Sequence, residues 1–265
     1  GLAILNQGTI NWSGGNLRSG TSGTFTNSSG GNFNDQNAAD NVITNPYGGA
    51  FSFSNAGTFT KSVGSTTTVQ VPFDNSGSLV ISAGSLSFTG AFSNPNGNIA
   101  LDNHASLNLP AGAGLNLGTG LGSLSGRGTI SVPSGVVVEG LFEPVHLTLT
   151  GDLTLQSTAQ LSFVLSGTTR GTGYDSLNVS GNTLLNGTLA VSFGAGFESV
   201  VAAADTFALL EVGSSGTLNG SFLNVASGDQ LLTSDGLGLF TVHYDAGSPF
   251  DTKAVYLSEF VAVPE

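Results

Sequence analysis

A recurring Asn-x-Gly-Thr/Ser motif, set between short runs of alternating apolar and polar residues, constrains the fold of this chain more than any other feature. Close copies occupy residues 6–9, 55–58 and 75–78, and looser copies occupy residues 27–31 and 94–97. Adjacent copies are roughly 20 to 28 residues apart. A period of this length indicates an array of stacked repeats, each of which buries its apolar face against the next.

The motif copies are followed by runs in which every second residue is apolar, which is the period of a half-buried β-strand. Residues 78–82 and 85–88 show this alternation. It continues in segments 99–101, 107–109, 115–117, 129–132, 136–138, 147–155 and 161–165. Residues 200–210 are the best candidate for a turn of helix. The chain is therefore predicted to be all-β.

The repeat favours a single-stranded parallel β-helix, or β-solenoid, in which each coil stacks about 4.8 Å above the last. An antiparallel sandwich or jelly roll also contains many short strands, but it does not require a repeated unit. Glycine and asparagine are expected at the corners because both tolerate positive φ. The predicted continuous core comprises Leu79, Ile81, Leu86, Phe88, Ile99, Leu101, Leu107, Leu109, Leu115 and Leu117.

Two regions are predicted along the chain. Residues 1–195 form the parallel β-solenoid, and residues 196–265 form its C-terminal end and cap. In the second region the repeat fades while the apolar content rises. A cap is expected there because the last coil of a solenoid otherwise exposes core side chains and an open sheet edge to water.

The charge balance excludes several classes of partner. Only 8% of the 265 residues are charged, and the formal net charge is -12. This charge repels nucleic acid phosphates and anionic lipid headgroups. The chain contains no cysteine, which excludes disulfides and thiolate chemistry, and it contains no apolar run long enough for a membrane span. A chain without methionine that begins at Gly1 is expected to be a mature or trimmed product.

The residues that could carry catalysis are dispersed. A polysaccharide lyase would need clustered basic residues, whereas the five in this chain are spread along its whole length: Arg18, Lys61, Arg127, Arg170 and Lys253. Glycoside hydrolysis needs two carboxylates about 5 to 9.5 Å apart, which stacked coils could supply from Asp35, Asp40, Asp74 and Asp102. We expect these aspartates instead to cap turns through backbone amides. The chain is therefore predicted to have no catalytic residues.

Ligand-binding motifs are also weak. Residues 32–41, which include Asp35 and Asp40, are rich in oxygen atoms that calcium accepts, but they match no calcium-binding repeat, so a solvated insertion loop is expected. The widely spaced His104, His146 and His243 are expected at surfaces or corners. The glycine run at residues 118–122 has nothing to support nucleotide binding. No metal-binding or cofactor-binding residue is predicted.

A resemblance appears near residue 174. Tyr174-Asp175-Ser176-Leu177-Asn178-Val179-Ser180-Gly181, followed by Asn186-Gly187-Thr188 and Asp205-Thr206-Phe207, resembles the end of β-helical passenger domains of autotransporter-like surface proteins. This chain has Ala204 where that family usually has glycine. The terminal Val263-Pro264-Glu265 is similar to the start of the PEP-CTERM sorting signal. Both resemblances imply an exported surface protein.

These observations lead to one functional expectation and one alternative. We expect a non-catalytic, secreted bacterial cell-surface or extracellular-matrix protein: an adhesin-like spacer, or a subunit of a sheath, fibre or biofilm scaffold. Its apolar ends, residues 2–5 and 255–263, are expected to promote self-association into a homopolymer or to fold back as caps. The alternative is a β-helix that binds or cleaves matrix polysaccharide.

Overall fold

The chain folds as a parallel β-solenoid with a C-terminal capping element, as the repeat predicts. The computed structural model describes residues 1–20, 22–118, 123–194 and 196–263. Residues 119–122 of the glycine run, and Pro264 and Glu265 of the sorting-signal resemblance, lie outside the described residues. The fold divides into two compact units, residues 1–134 and 135–265, which are described separately below. The predicted boundary at residues 195 and 196 stays a prediction.

Short strands build the first unit, with an alternating pattern of buried and exposed residues. They are β1 (Ala3–Asn6), β2 (Thr9–Trp12), β3 (Leu17–Gly20), β4 (Gly23–Asn27), β5 (Asn32–Asp35), β6 (Asn41–Tyr47), β7 (Phe51–Asn55), β8 (Thr58–Lys61), β9 (Thr66–Val69), β10 (Phe73–Asn75), β11 (Ser78–Ile81), β12 (Ser85–Phe88), β13 (Phe92–Ser93), β14 (Asn98–Leu101), β15 (Ser106–Asn108), β16 (Leu115–Leu117) and β17 (Leu124–Ser131).

All of these strands except β16 stack in parallel, one coil above the next, on three faces. The first face contains β1, β4, β7, β10 and β13. The second contains β2, β5, β8, β11, β14 and the start of β17. The third contains β3, β6, β9, β12, β15 and the end of β17. Because equivalent residues lie in register on successive coils, one sequence position generates a column of neighbouring side chains.

The second unit begins with parallel strands and ends with antiparallel pairing. Its strands are β18 (Val136–Val138), β19 (Leu141–Thr150), β20 (Leu153–Leu155), β21 (Gln160–Leu165), β22 (Ser176–Val179), β23 (Thr183–Leu185), β24 (Thr188–Phe193), β25 (Phe207–Val212), β26 (Leu218–Gly220), β27 (Gln230–Leu232), β28 (Gly238–His243) and β29 (Ala254–Ala262). A short 3-10 helix spans Phe197–Ser199. The antiparallel strands are β25, β29, β28 and β27, in that pairing order, and they form the cap.

The core of the first unit contains every residue predicted for it, and all ten are buried. Phenylalanine rings add columns of their own along this core. Phe25, Phe53 and Phe73 stack with ring centroids 4.5 and 5.0 Å apart, and Phe33 stacks on Phe59 at 5.1 Å. The parallel register creates these columns because it places like residues directly above one another.

Two local expectations were wrong. Residues 200–210 form no helix: the 3-10 helix precedes them, and β25 begins at Phe207 because apolar residues there pair with β22 and β29. The expectation of positive φ at the corners holds for glycines such as Gly84, Gly112 and Gly135, but it was wrong for the Asn-x-Gly corners, where neither the asparagines nor Gly57 and Gly77 have positive φ. At Gly57 and Gly77, an added Cβ would overlap a backbone carbonyl of the preceding coil. Close approach of the backbone, rather than φ, requires glycine at these corners.

Candidate functional site

The most regular polar feature is a column of asparagine side chains along the first face, which we call the asparagine ladder. Its members are Asn6, Asn27, Asn55, Asn75 and Asn94. Each of the first four donates from Nδ2 to Oδ1 of the next, at 2.6 to 2.7 Å. Asn27, Asn55 and Asn75 are fully buried. The motif recognised in the sequence therefore places one amide in each coil at the same inward position.

The ladder also satisfies backbone groups at the corners. Nδ2 of Asn27 donates to the carbonyl of Thr58 at 3.0 Å, and Nδ2 of Asn55 donates to that of Ser78 at 3.0 Å. An asparagine amide offers two N–H donors and one carbonyl acceptor, so a single side chain can bond along the column and to the corner. Because a buried amide without partners costs about 1 to 3 kcal/mol, each rung depends on its neighbours. These side chains bind the chain to itself.

A second polar feature is a charged group inside the first unit, at the corner between the second and third faces. Trp12, Asp35, Lys61 and Ile81 occupy one register column on β2, β5, β8 and β11. The side chains of Asp35 and Lys61 are completely buried, and their Oδ2 and Nζ atoms are 3.8 Å apart. Asn37 is also fully buried. We call Asp35, Asn37 and Lys61, with Ser65 and Thr67, the internal polar cluster.

Hydrogen bonds within the internal polar cluster fix its charged groups. Oδ1 of Asp35 accepts from Nδ2 of Asn37 at 2.8 Å, and Oδ2 accepts from the hydroxyl of Thr67. Nζ of Lys61 donates to the carbonyl of Val63 and to Oγ of Ser65, each at 2.9 Å. Among the described residues, buried Oδ1 of Asn37 is one of the few polar atoms without a hydrogen-bond partner.

Burial lowers the pKa of Lys61, although the nearby carboxylates of Asp35 and Asp40 oppose this effect. Removing an ammonium group from water disfavours its charged form. A buried ion pair of this kind contributes little net stability, because desolvation offsets the attraction between the charges. The internal polar cluster therefore calls for an explanation other than stability alone.

The four aspartates considered as a carboxylate pair in the sequence lie in different environments in the structure. Asp35 points inward and caps the backbone N–H of Asn37, in agreement with the expected role in turns, at 3.2 Å. Asp40 accepts from the backbone N–H of Thr66 at 2.7 Å, whereas Asp74 and Asp102 are exposed. The expected solvated loop at 32–41 was wrong in part, because residues 32–35 form β5 and Asn37 is buried. Within the described ranges, no three His, Cys, Asp or Glu side chains gather as a metal site.

Basic residues in the second unit also bond to the chain itself. Nε of Arg170 donates to the carbonyl of Ala208 at 3.0 Å, and its Nη2 lies 3.4 Å from Oε2 of Glu211. Lys253 donates to the carbonyl of Ser214 at 2.8 Å. The guanidinium group of Arg170 and the ammonium group of Lys253 therefore bind backbone carbonyls of the same unit.

Tyr174, which begins the family resemblance, anchors the segment before β22. Its ring packs edge-on against Phe207 at 5.1 Å, and its hydroxyl oxygen accepts from the backbone N–H of Ala208 at 3.2 Å. Burial raises the pKa of Tyr174, while the bond from Ala208 acts in the opposite direction. Tyr174 therefore links the segment before β22 to β25.

Two histidines contact serine hydroxyls, which is the type of pairing that activates a nucleophile. Nδ1 of His146 lies 2.7 Å from Oγ of Ser176, and Nε2 of His243 lies 2.9 Å from Oγ of Ser258. Ser176 is fully buried and Ser258 is 6% exposed, so both hydroxyls are covered by protein. His104 lies exposed in a turn, as expected, whereas His146 and His243 are half-buried.

A shallow groove runs over the Asn-x-Gly corners of the first unit. Small and polar residues line it, including Gly57, Thr58, Gly77, Ser78 and Asn98. Glycines form its floor because a side chain there would collide with the adjacent coil. Its hydroxyl and amide groups carry no charge.

Sequence reasoning found the motif that forms the asparagine ladder but missed its chemistry, and it missed the internal polar cluster entirely. Asp35 and Lys61 are paired only by the register of β5 and β8, for which no local motif gives a signal.

No protein-family model matches the chain, and a search of curated proteins finds no match. No described helix is long and apolar enough to cross a membrane.

Proposed function

We propose that this protein is a non-catalytic structural component of a bacterial cell surface or extracellular matrix, as an adhesin-like spacer or a subunit of a sheath, fibre or biofilm scaffold. The asparagine ladder carries the proposal, because its buried amides join successive coils instead of facing a ligand. Arg170, Lys253 and the internal polar cluster are likewise engaged with the chain itself. A structural spacer needs polar groups that hydrogen-bond within the chain, whereas an enzyme needs polar groups exposed in a cleft.

Surface labelling tests the proposed location. An antibody raised against the folded chain should label intact producer cells or their surrounding matrix. An antibody against a cytoplasmic protein of the same cells serves as the control for leakage. Labelling that appears only after the cells are permeabilised would contradict the proposal.

Carbohydrate binding is the second candidate function, and the groove over Gly57 and Gly77 favours it. Neutral hydroxyls and amides, such as those of Thr58, Ser78 and Asn98, suit an uncharged polysaccharide better than an acidic one. A panel of neutral and acidic glycans should be tested for binding and for products by mass spectrometry. Tight binding that a Ser78→Tyr substitution removes would favour this candidate, and turnover would exclude the non-catalytic assignment.

Self-association is part of the structural proposal. Ile4 and Leu5 of β1, and Leu2 just before it, present exposed apolar surface, and β1 has one pairing partner, β4, among the described strands. Unpaired strand edges with apolar side chains favour association. Light scattering should show assemblies that diminish in a variant lacking residues 1–10. A chain that stays monomeric at high concentration would exclude polymer formation.

A further inference from the structure

We propose that Lys61 and Asn37 are joined by an intramolecular isopeptide bond, with Asp35 carrying the proton. All three side chains are buried without measurable exposure to solvent. The proposal assigns a covalent modification site to the internal polar cluster, and it stands independently of the proposed function.

The first argument is the arrangement of the three groups around one carboxylate. Asp35 accepts from Nδ2 of Asn37 through Oδ1 at 2.8 Å, and its Oδ2 lies 3.8 Å from Nζ of Lys61. Ser65 forms a second bridge, because its Oγ accepts from Nζ of Lys61 and donates to the backbone carbonyl of Asn37 at 2.5 Å. Asp35 and Ser65 therefore each contact both of the residues that would react.

The second argument is the protonation state that burial imposes. Apolar neighbours enclose the cluster, since Trp12 and Ile81 flank Asp35 and Lys61 in the same register column. Burial lowers the pKa of Lys61, which makes the neutral amine more accessible than in water. A neutral lysine amine is a nucleophile, as in enzymes that use a desolvated lysine.

The reaction balances without an external reagent. Lys61 gives a proton to Asp35, and neutral Nζ attacks Cγ of Asn37. The Nζ–Cγ bond forms while the Cγ–Nδ2 bond breaks, and Asp35 transfers a proton to departing Nδ2 and receives one from Nζ. Ammonia leaves, and the remaining proton stays on Asp35 or departs with the ammonia as ammonium.

Asn37, rather than Asp35, is assigned as the acyl partner. The carboxylate of Asp35 accepts from the backbone N–H and Nδ2 of Asn37 and from the hydroxyl of Thr67. A carboxylate is a poorer electrophile than a neutral amide, and Asp35 is the proton carrier of the proposed step. By contrast, the amide of Asn37 is neutral, its leaving atom Nδ2 already donates to Asp35, and its Oδ1 has no hydrogen-bond partner.

Mass spectrometry of the denatured full chain tests the proposal. The intact protein should be lighter than its sequence by one ammonia. Trypsin should leave residues 19–127 as one peptide, because acylated Lys61 is not cleaved and no other Lys or Arg lies between Arg18 and Arg127. An asparagine succinimide would give the same intact mass, but trypsin would then release residues 19–61.

The variants use the only other lysine as a matched control. Lys253 is the second of two lysines and lies in a different unit. Lys253→Met should retain the mass deficit, whereas Lys61→Met and Asp35→Asn should lose it. The peptide map of the wild-type chain decides the matter even if a variant fails to fold. An unmodified mass, cleavage after Lys61, or loss of water in place of ammonia would overturn the proposal.

Discussion

At the scale of single residues, the asparagine and the glycine of the repeated motif have different structural roles. Asparagine supplies buried amides that bond from coil to coil, while glycine lets the backbone of one coil approach the next. The motif itself was visible in the sequence and correctly marked the corners. The physical basis of the motif was not visible, because the asparagine ladder forms only when successive coils stack in register. Tolerance of positive φ, by contrast, can be inferred from a single residue.

Replacing a central rung should destabilise the fold substantially. Asn55→Ala removes a donor to Oδ1 of Asn75 and an acceptor for Nδ2 of Asn27, and it leaves both in the interior. We expect the free energy of unfolding to fall by about 2 to 4 kcal/mol, measured by urea denaturation. Asn34→Ala, which removes one exposed bond to Asn11, is the matched control and should cost less than about 1 kcal/mol. Equal effects of the two substitutions would contradict the role of the ladder.

A glycine substitution tests the close approach of the coils. Gly77→Ala should destabilise the chain by about 1 to 3 kcal/mol, because the new Cβ overlaps the carbonyl of Gly57 and forces the backbone to shift. Gly14 has open space around the corresponding position, so Gly14→Ala is the control and should be nearly neutral. Thermal unfolding of both variants gives the comparison. A neutral Gly77→Ala would show that the coils can separate without cost.

At the scale of secondary structure elements, the cap ends the parallel arrangement by covering β25. Strand β29 pairs antiparallel with β25 and then with β28, and its Val255, Leu257 and Phe260 are buried. The rise in apolar content after residue 196 allowed a cap to be predicted. The order of its strands could not be predicted, because antiparallel pairing there depends on contacts between segments more than 40 residues apart, such as β25 and β29.

Removal of the final strand should expose the sheet edge. A chain that ends at Lys253 lacks β29, so β25 would lose its antiparallel partner and buried Phe207 and Leu210 would lose their cover. We expect aggregation, seen as increased light scattering at 25 °C. Val261→Thr, which changes a half-exposed side chain of the same strand, is the control and should remain dispersed. A truncated chain with unchanged solubility and unfolding temperature would show that β29 is not a cap.

The turn before β28 should make stability depend on pH in acid. Burial alone would raise the pKa of Asp235, but bonds from the backbone N–H groups of Phe193 and Leu237 and from Thr233 lower it below its ordinary value. The unfolded chain therefore binds the proton more tightly, so this stabilisation is present above about pH 4 and is lost as pH falls through the native pKa.

Denaturation curves measured between pH 2 and pH 7 test this dependence. Asp235→Asn should make the loss of stability in acid less steep than in the wild-type chain. Asp251→Asn, which alters an exposed turn carboxylate bonded to the backbone N–H of Lys253, is the control. An Asp235→Asn curve parallel to that of the wild-type chain would contradict the assignment.

At the scale of the whole molecule, the chain has few charges, and its parallel strands are held together mainly by columns of like side chains. Periodicity predicted the parallel pairing and the ten core residues, because both follow from a repeat that every coil shares. Features unique to one coil escaped prediction. Asp35 and Lys61 are 26 positions apart and meet only because β5 and β8 stack in register. Neither composition nor a repeated motif can predict a contact that is formed in one coil only.

The central claim is that buried amides hold successive coils together, and side-chain hydrogen exchange measures this directly. The NH2 groups of Asn27, Asn55 and Asn75 should exchange with D2O far more slowly than that of exposed Asn98, because they open only when the coils separate. NMR of the isotope-labelled chain resolves these groups. The predicted result is slow exchange of all three ladder amides in the wild-type chain and faster exchange of Asn27 and Asn75 in Asn55→Ala. Exchange of Asn27, Asn55 and Asn75 as fast as that of Asn98 would contradict the account.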